Sequence, residues 1–463
     1  MSVTWSRLEH MFEAEDSGPS GGGARTALST LDAADIAEWT TALAGIDRDA
    51  TDAERIDQIR ELERVKCAAE AAQAVLTADF DVSQRARAAA QGVPAARQGR
   101  GVAEQVALAR RESPHRGRQH LGLAKILGTE LPHTMAAFRA GRVTEWRVML
   151  IGRETGCLSL ADRMTVDAAL AADPDRLEAM GDREVVAAVQ KLAYRLDPHS
   201  VVKRRSRAEA DRNVTLRPAP DTMSYLTELL PVAQGVAVFA ALTSHADRLR
   251  AAGDPRGRGQ IMADTLVERV TGQAAASGVP LRVNLTVSDR VLFGDADDPA
   301  HLEGYGPIPA GVARSLVSES LTSKCKTWLR RLYQQPGTGR LVAMDSNSRL
   351  VPDALGQFVE IRDQVCRTPW CDAPIRHHDH VRSRAEDGET SEANTQGLCE
   401  ACNYAKQAPG WKARPRPGPT HTVETTTPTG HHYRSTAPPS PGFDATREGP
   451  PVDYRWPELT LAC

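Results

Sequence analysis

Four of the eight cysteines in this 463-residue chain lie in one short stretch near its C-terminal end. They form two close pairs, Cys366 with Cys371 and Cys399 with Cys402, with four residues inside the first pair and two inside the second. Each spacing lets one short turn direct two thiolates at a single ion, and four thiolates complete the tetrahedral coordination that zinc prefers. With four sulfur ligands the ion has no position left for a reactive water. The pattern therefore predicts a structural zinc site.

The remaining cysteines show no spacing typical of a disulfide framework. They are Cys67, Cys157, Cys325 and Cys463. No apolar run approaches the roughly 20 residues that a membrane-spanning helix needs. The Gly/Ser-containing residues 1–29 lack the apolar core of a signal peptide, and we expect them to be flexible. We therefore expect a reduced, cytoplasmic protein that has no membrane partner.

Helical periodicity dominates the first two thirds of the chain. From Asp52, the predicted N-cap, apolar residues recur every three or four positions. They are Ile56, Ile59, Leu62, Val65, Ala69, Ala72, Leu76 and Phe80. Later, Gly141 followed by Thr144 and Glu145 predicts a turn and a helix start. This turn belongs either to a DNA-reading helix-turn-helix or to an ordinary helical hairpin.

Strand patterns follow in residues 213–230, as two strands around a Pro-Asp turn, and in residues 279–294. The fold class that we predict is a mostly α N-terminal domain with a small β-sheet, joined to a C-terminal α+β module that zinc closes. The predicted organisation is a flexible start over 1–29, the helical domain over 30–320, a connecting hairpin over 321–352, the α+β module over 353–415 and a Pro/Thr-rich tail with a possible hairpin over 416–463.

The segment between the cysteine pairs is longer than the spacer of an ordinary zinc ribbon, with 27 residues from 372 to 398. Asp379 and His380 stand in a strand-like run, "HHDHV". A turn that contains Asn394, a second apolar run and a helix that contains Asn403 and Lys406 come after it. A strand, a loop, a strand and a helix, closed by zinc at both ends, bring Asp379, His380 and Asn403 together.

These residues resemble a known family. The order Asp-His-Val, Gly-x-Thr, Asn and Leu-Cys-x-x-Cys-Asn-x-x-Lys is similar to the HNH (ββα-metal) endonucleases in their zinc-bound form, densely from Cys366 to Trp411. The upstream region, including residues 219–272, resembles the helical domain of unknown function (number 222) that precedes an HNH module in a large actinobacterial family. The resemblance implies hydrolysis of DNA to 5′-phosphate and 3′-hydroxyl ends. Asn403 departs from the commonest form, which has histidine there, and this departure affects the choice and affinity of the metal.

Phosphodiester hydrolysis needs a deprotonated water and a cation that balances the developing negative charge. We predict His380 as the general base, because an imidazole titrates near neutrality. Asp379 and Asn403 offer the hard oxygen ligands that suit a catalytic Mg²⁺ or Mn²⁺. Asn394 is predicted to hold the loop and keep His380 oriented, and Lys406 to contact a phosphate. His377 and His378 are expected to be surface residues or to orient neighbouring groups.

Two alternatives to a DNA endonuclease stay open: a non-catalytic zinc protein that binds nucleic acid, and a protein-interaction scaffold. Residues 353–403 carry ten acidic against five basic side chains, which disfavours binding of a polyanion by the module alone. Basic stretches lie elsewhere, at 85–118 with eight arginines and two glutamates, at 203–207, at 321–350 and at 404–440. Their arginines either contact DNA phosphates or merely solvate helix faces.

Overall fold

A computed structural model describes residues 31–199, 209–273, 275, 285–322, 332–334, 341–344 and 351–440. The described residues divide into two compact units, one of residues 31–83 with 120–199, the other of residues 84–119 with the described residues from 209 onward. The N-terminal region is mostly helical, and the C-terminal part carries small antiparallel sheets and a four-cysteine cluster, which confirms the predicted fold class at this level. No helix within the described ranges combines the length and hydropathy that spanning a membrane requires.

The helices are α1 (Ala33–Ala44), α2 (Asp52–Ala90), α3 (Val102–Arg110), α4 (Pro114–Thr129), α5 (Pro132–Arg139), α6 (Glu145–Thr155), α7 (Leu160–Ala171), α8 (Pro174–Ala179), α9 (Asp182–Leu196), α10 (Val232–Ala251), α11 (Arg258–Thr271), α12 (Asp289–Phe293), α13 (Ala310–Thr322), α14 (Val351–Asp363) and α15 (Glu400–Lys406). The strands are β1 (Asn213–Ala219), β2 (Met223–Leu229), β3 (Leu285–Thr286), β4 (Ala300–Leu302), β5 (Gly306–Ile308), β6 (Leu332–Gln334), β7 (Leu341–Met344), β8 (His377–His380), β9 (Thr395–Leu398), β10 (Lys412–Arg416), β11 (Thr422–Thr426) and β12 (His432–Thr436).

Helix α2 forms where the periodicity predicts it, but its cap and its buried face differ from the prediction. The Thr51 hydroxyl accepts a hydrogen bond from the Glu54 amide, and the Glu54 carboxylate accepts one from the Thr51 amide at 2.7 Å. This reciprocal pair makes Thr51 the N-cap, one residue before Asp52. Ile56 and Ile59, from the predicted apolar stripe, are exposed, whereas Cys67 and Ala71 are buried.

The first unit packs its helices around large buried side chains, among them Leu127, Phe138, Ile151 and Leu170. The predicted turn before α6 is confirmed. Gly141 adopts a φ of 73°, and a Cβ there would lie 2.6 Å from the Arg64 carbonyl oxygen, so only glycine fits. Thr144 then caps α6 by accepting a hydrogen bond from the Arg147 amide at 3.4 Å. Whether this turn reads DNA stays a prediction.

In the second unit, β1 and β2 pair antiparallel around residues 220–222, as the sequence predicts. The strand predicted over 279–294 is wrong at its C-terminal end: Asp289–Phe293 forms helix α12, and only Leu285–Thr286 is strand. The Ser288 hydroxyl accepts a hydrogen bond from the Val291 amide at 3.3 Å, and this cap stabilises a helical turn over the extended conformation. Residues 279–284 lie outside the described residues.

Strands β6 and β7 pair antiparallel within the predicted connecting hairpin. At its two ends the prediction is wrong, because residues 321–322 belong to α13 and residues 351–352 to α14. Residues 323–331, 335–340 and 345–350 lie outside the described part of the chain. Farther on, β10, β11 and β12 form a three-stranded antiparallel sheet in that order. The possible hairpin predicted in the Pro/Thr-rich tail is present as β11 and β12, and β10 extends it into a sheet. The predicted domain boundaries at 320 and 415 stay predictions. Residues 441–463 lie outside the described ranges.

Candidate functional site

Two short antiparallel strands carry the predicted site residues. In the register of β8 and β9, His378 pairs with Gly397, Asp379 with Gln396 and His380 with Thr395. A Cβ at position 397 would lie 2.4 Å from the Ile375 side chain, so glycine lets the chain before β8 pack closely on β9. Helix α15 follows β9 directly and contacts β8. The sequence therefore builds the strand, loop, strand and helix that it predicts between the cysteine pairs.

The four clustered cysteines converge in space. All four are buried, and their sulfur atoms lie within 4.8 Å of one another. The Cys371 sulfur is 3.6 Å from that of Cys399 and 3.7 Å from that of Cys402. A disulfide would need about 2.05 Å, whereas sulfurs bound at about 2.3 Å around tetrahedral zinc stand about 3.8 Å apart. The cluster could therefore hold a metal ion such as zinc.

The protonation chemistry of the four thiols fits a bound cation. Hydrogen bonding with Cys371 lowers the pKa of Cys366, and hydrogen bonding with Cys366 lowers the pKa of Cys399. The corresponding interactions with Cys366 raise the pKa of Cys371 and of Cys402. Four crowded thiols cannot all ionise by themselves, since each thiolate opposes the next. A divalent cation removes this conflict because it balances the thiolate charges.

A second group of polar atoms lies between β8 and α15. The Lys406 ammonium is 2.5 Å from the Asp379 Oδ2 and also donates a hydrogen bond to the His380 carbonyl oxygen. Asn403 precedes Lys406 by three residues, which places both side chains on one face of the helix. Asn403 is buried, and its Oδ1 has no hydrogen-bond partner among the described residues. Lys406 thus joins α15 to Asp379, and Asn403 lies on the same helix face as Lys406.

His380 ends β8, Asn394 lies just before β9, and each contacts the loop between these strands. The His380 Nε2 lies 2.9 Å from the Thr390 hydroxyl. The Asn394 Oδ1 accepts a hydrogen bond from the Arg382 amide at 2.8 Å, and its Nδ2 donates to the carbonyl oxygens of Arg382 and Glu389 at 3.1 Å and 2.7 Å. Asn394 thus fastens both ends of the loop that carries Thr390, and Thr390 contacts the histidine ring.

The neighbouring histidines contact different elements. The His378 Nε2 lies 3.1 Å from a carboxylate oxygen of Glu360 on α14, and its side chain is exposed by 37%. The His377 ring is tilted against the Tyr404 ring, with 6.3 Å between the ring centroids. Both belong to the rim of the site.

Sequence reasoning missed a buried charged pair that supports β9. Arg362 and Asp363, at the end of α14, are nearly inaccessible, and their side chains pair at 2.8 Å. The Asp363 carboxylate accepts a hydrogen bond from the Gly397 amide at 2.8 Å, and Arg362 donates to the Thr395 carbonyl oxygen at 2.6 Å. The adjacent arginine and aspartate just before Cys366 are the signal that could have revealed the pair.

Comparison with known proteins identifies the larger part of the chain. Residues 57–363 match the family model described as "Domain of unknown function (DUF222)". No curated protein matches the chain. The search of solved structures gives no match either. The match covers well over half of the residues and ends three positions before Cys366, so the chain belongs to the DUF222 family.

Proposed function

We propose that this protein is a metal-dependent endonuclease of the HNH (ββα-metal) type, acting on DNA phosphodiester bonds. The observation that carries the proposal is the buried Oδ1 of Asn403, which no described residue hydrogen-bonds, on the helix face that contacts Asp379. Burial of an unpaired amide oxygen is costly. A hard divalent cation shared with Asp379 offsets that cost, since Mg²⁺ and Mn²⁺ prefer carboxylate and carbonyl oxygens.

The residues around Asn403 would have different roles in hydrolysis. A Mg²⁺ or Mn²⁺ held by Asp379 and Asn403 would balance the negative charge that grows on the phosphate. When the His380 Nε2 donates its hydrogen to Thr390, the Nδ1 keeps a lone pair that accepts the proton of the attacking water. The water oxygen bonds to phosphorus, the bond to the 3′ oxygen breaks, and that oxygen takes a proton from solvent. Asn394 and Lys406 hold the loop and the strand that carry the base.

We assign the four cysteines to a structural zinc ion. The sulfur separations of 3.6 and 3.7 Å agree with a tetrahedral site, and four sulfur ligands exclude a reactive water. Elemental analysis of the purified protein tests the assignment. We expect one zinc per chain, and protein that contains no zinc would contradict it.

The test of the proposed activity is cleavage of plasmid DNA with and without Mg²⁺ or Mn²⁺. His380→Ala should lower the cleavage rate by about 10²- to 10⁴-fold, while zinc content and DNA affinity stay unchanged. The matched control is His432→Ala, which removes an exposed histidine of β12. Asn403→Ala should raise the metal concentration that cleavage needs, and Asn403→His should shift the preference towards Ni²⁺, Co²⁺ or Zn²⁺.

The same experiment separates the alternatives. If the parent protein binds DNA and leaves the plasmid intact with either metal, the chain is a non-catalytic zinc protein that binds nucleic acid. A protein without affinity for DNA even at low salt would instead be an interaction scaffold. If Asn403→Ala matches the parent at every metal concentration, Asn403 is not a ligand.

A further inference from the structure

Residues 84–119 are a part of the DUF222-matched region that packs within the same unit as α15. Gly101 adopts a φ of 83°, and a Cβ there would lie 2.6 Å from the Trp411 Nε1 and 3.3 Å from the Ala408 Cβ. The Thr429 hydroxyl donates a hydrogen bond to the Gln105 side chain at 3.1 Å. A pocket between α3 and α15 is lined by Glu104, Ala107 and Leu108 on one side and by Cys402, Ala405 and Lys406 on the other. This arginine-rich segment therefore borders the candidate site.

Arg100 is the residue of this segment that lies against the Tyr404 ring of α15. Its guanidinium carbon lies 5.6 Å from the centroid of the Tyr404 ring, and Tyr404 directly follows Asn403 in α15. The Tyr404 side chain is itself 46% exposed, and its ring also contacts the ring of His377 on β8. Arg100, Tyr404 and His377 thus form a continuous row beside Asp379 and His380. We call this row the Arg100–Tyr404 strip.

The charges of the segment distinguish Arg100 from several of its neighbours. Arg118 pairs with Glu104 at 3.3 Å, Arg116 lies 3.9 Å from Glu112, and Arg85 donates to the Gln98 carbonyl oxygen. Arg100 is exposed, and in the described part of the chain no carboxylate pairs with it. An exposed guanidinium beside an exposed aromatic ring is the combination that binds the phosphates and bases of nucleic acids.

The acidic balance of residues 353–403, ten acidic against five basic side chains, means that cations from outside this range must attract DNA. We propose that the Arg100–Tyr404 strip is a DNA-binding surface of the candidate nuclease, with Arg100 contacting a backbone phosphate beside the site. The DUF222 region then supplies substrate contacts to the C-terminal module. The identity of the ligand as DNA rests on the proposed function.

Binding is measured by fluorescence anisotropy of a short labelled DNA duplex, titrated at several NaCl concentrations. All variants carry His380→Ala, so that binding is separated from cleavage. One lost phosphate contact should lower affinity about eightfold at about 0.1 M salt and reduce the salt slope by about one. We expect this result for Arg100→Ala. The matched control is Arg217→Ala, since Arg217 lies over the Tyr225 ring at 4.7 Å on the β1–β2 hairpin, and it should bind like the parent.

Equal affinity and equal salt slope for Arg100→Ala and its parent overturn the inference, as does a parent that does not bind the duplex at all. Gly101→Ala provides a second variant, because its Cβ would displace the segment from Trp411 and move Arg100. With zinc content unchanged, it should weaken binding as Arg100→Ala does, and parental binding would count against the inference. The two proposals can fail separately. If Arg100→Ala weakens binding but the wild-type protein never cleaves DNA, the nuclease proposal is refuted and DNA binding by the Arg100–Tyr404 strip is supported.

Discussion

His380 lies at the end of β8, where contacts on its backbone and its ring fix its position. Its carbonyl oxygen accepts a hydrogen bond from Lys406, and its Nε2 contacts the Thr390 hydroxyl. The Asp-His pair in a strand-like run predicts His380 as a candidate base, and this stays a prediction. The contact with Thr390 could not be predicted in the same way, because it depends on the loop path that Asn394 fixes through three hydrogen bonds.

Thr390→Val tests whether this hydroxyl positions His380, the proposed base. Loss of one neutral hydrogen bond, about 1 kcal/mol, should lower the cleavage rate about fivefold. KM for DNA should stay unchanged, because the ring loses only a hydrogen-bond acceptor that holds it in place. Thr390→Ser keeps the hydroxyl and should restore the parental rate. Equal loss in both variants would mean that Thr390 acts through packing and not through the ring.

The β10–β12 sheet is joined to the site through His421. This side chain is buried, and its Nε2 donates a hydrogen bond to the Ala393 carbonyl oxygen, next to Asn394. Arg367 donates to the His421 carbonyl oxygen and to that of Ser435. The sheet is therefore hydrogen-bonded to the loop between β8 and β9. Its ordered structure contrasts with its Pro/Thr-rich composition, which is typical of disorder.

Burial, with a smaller contribution from Arg362, lowers the pKa of His421 to about 4. An unfolded histidine titrates near 6.5, so the unfolded chain binds the proton first as the pH falls. The stability that the neutral ring contributes is complete above about pH 6.5 and is lost between about pH 6.5 and 4, by about 3 kcal/mol. His421→Gln should lose less stability over this window in urea unfolding. His432→Gln, on the exposed edge, should behave like the parent, and identical pH dependence in all three proteins would contradict the prediction.

Local signals predict the elements, but they do not predict which element packs on which. The Thr144 cap involves residues only three positions apart, so the start of α6 could be predicted. The close spacing within each cysteine pair likewise predicted a shared site for the four cysteines. The buried face of α2 and the position of residues 84–119 depend on neighbours that are distant in sequence. The Ser288 cap of α12 was missed because alternating apolar residues favour a strand when the cap is not considered.

The boundary between the two compact units does not coincide with the end of the DUF222 match at residue 363. Asp363 is the last matched residue, and its carboxylate holds the Gly397 amide of β9 inside the C-terminal module. Residues 84–119, also within the match, belong to the same compact unit as the cysteine cluster. The DUF222 region and the cysteine-rich region therefore share a structural unit, and their stabilities should be coupled.

Cys399→Ser tests this coupling by removing one of the four proposed zinc ligands. Structural zinc contributes about 10–16 kcal/mol to the folding of small zinc domains, so its loss should unfold the cysteine-rich part. Because α3 is buried in the same unit, limited proteolysis should then cut residues 84–119 together with residues 366–436. Residues 120–196, in the other unit, should stay protected. Cys157→Ser, at a cysteine of that other unit outside the cluster, is the matched control and should keep both zinc and protection. Cleavage that is confined to residues 366–436 would show that residues 84–119 fold independently of the cysteine cluster.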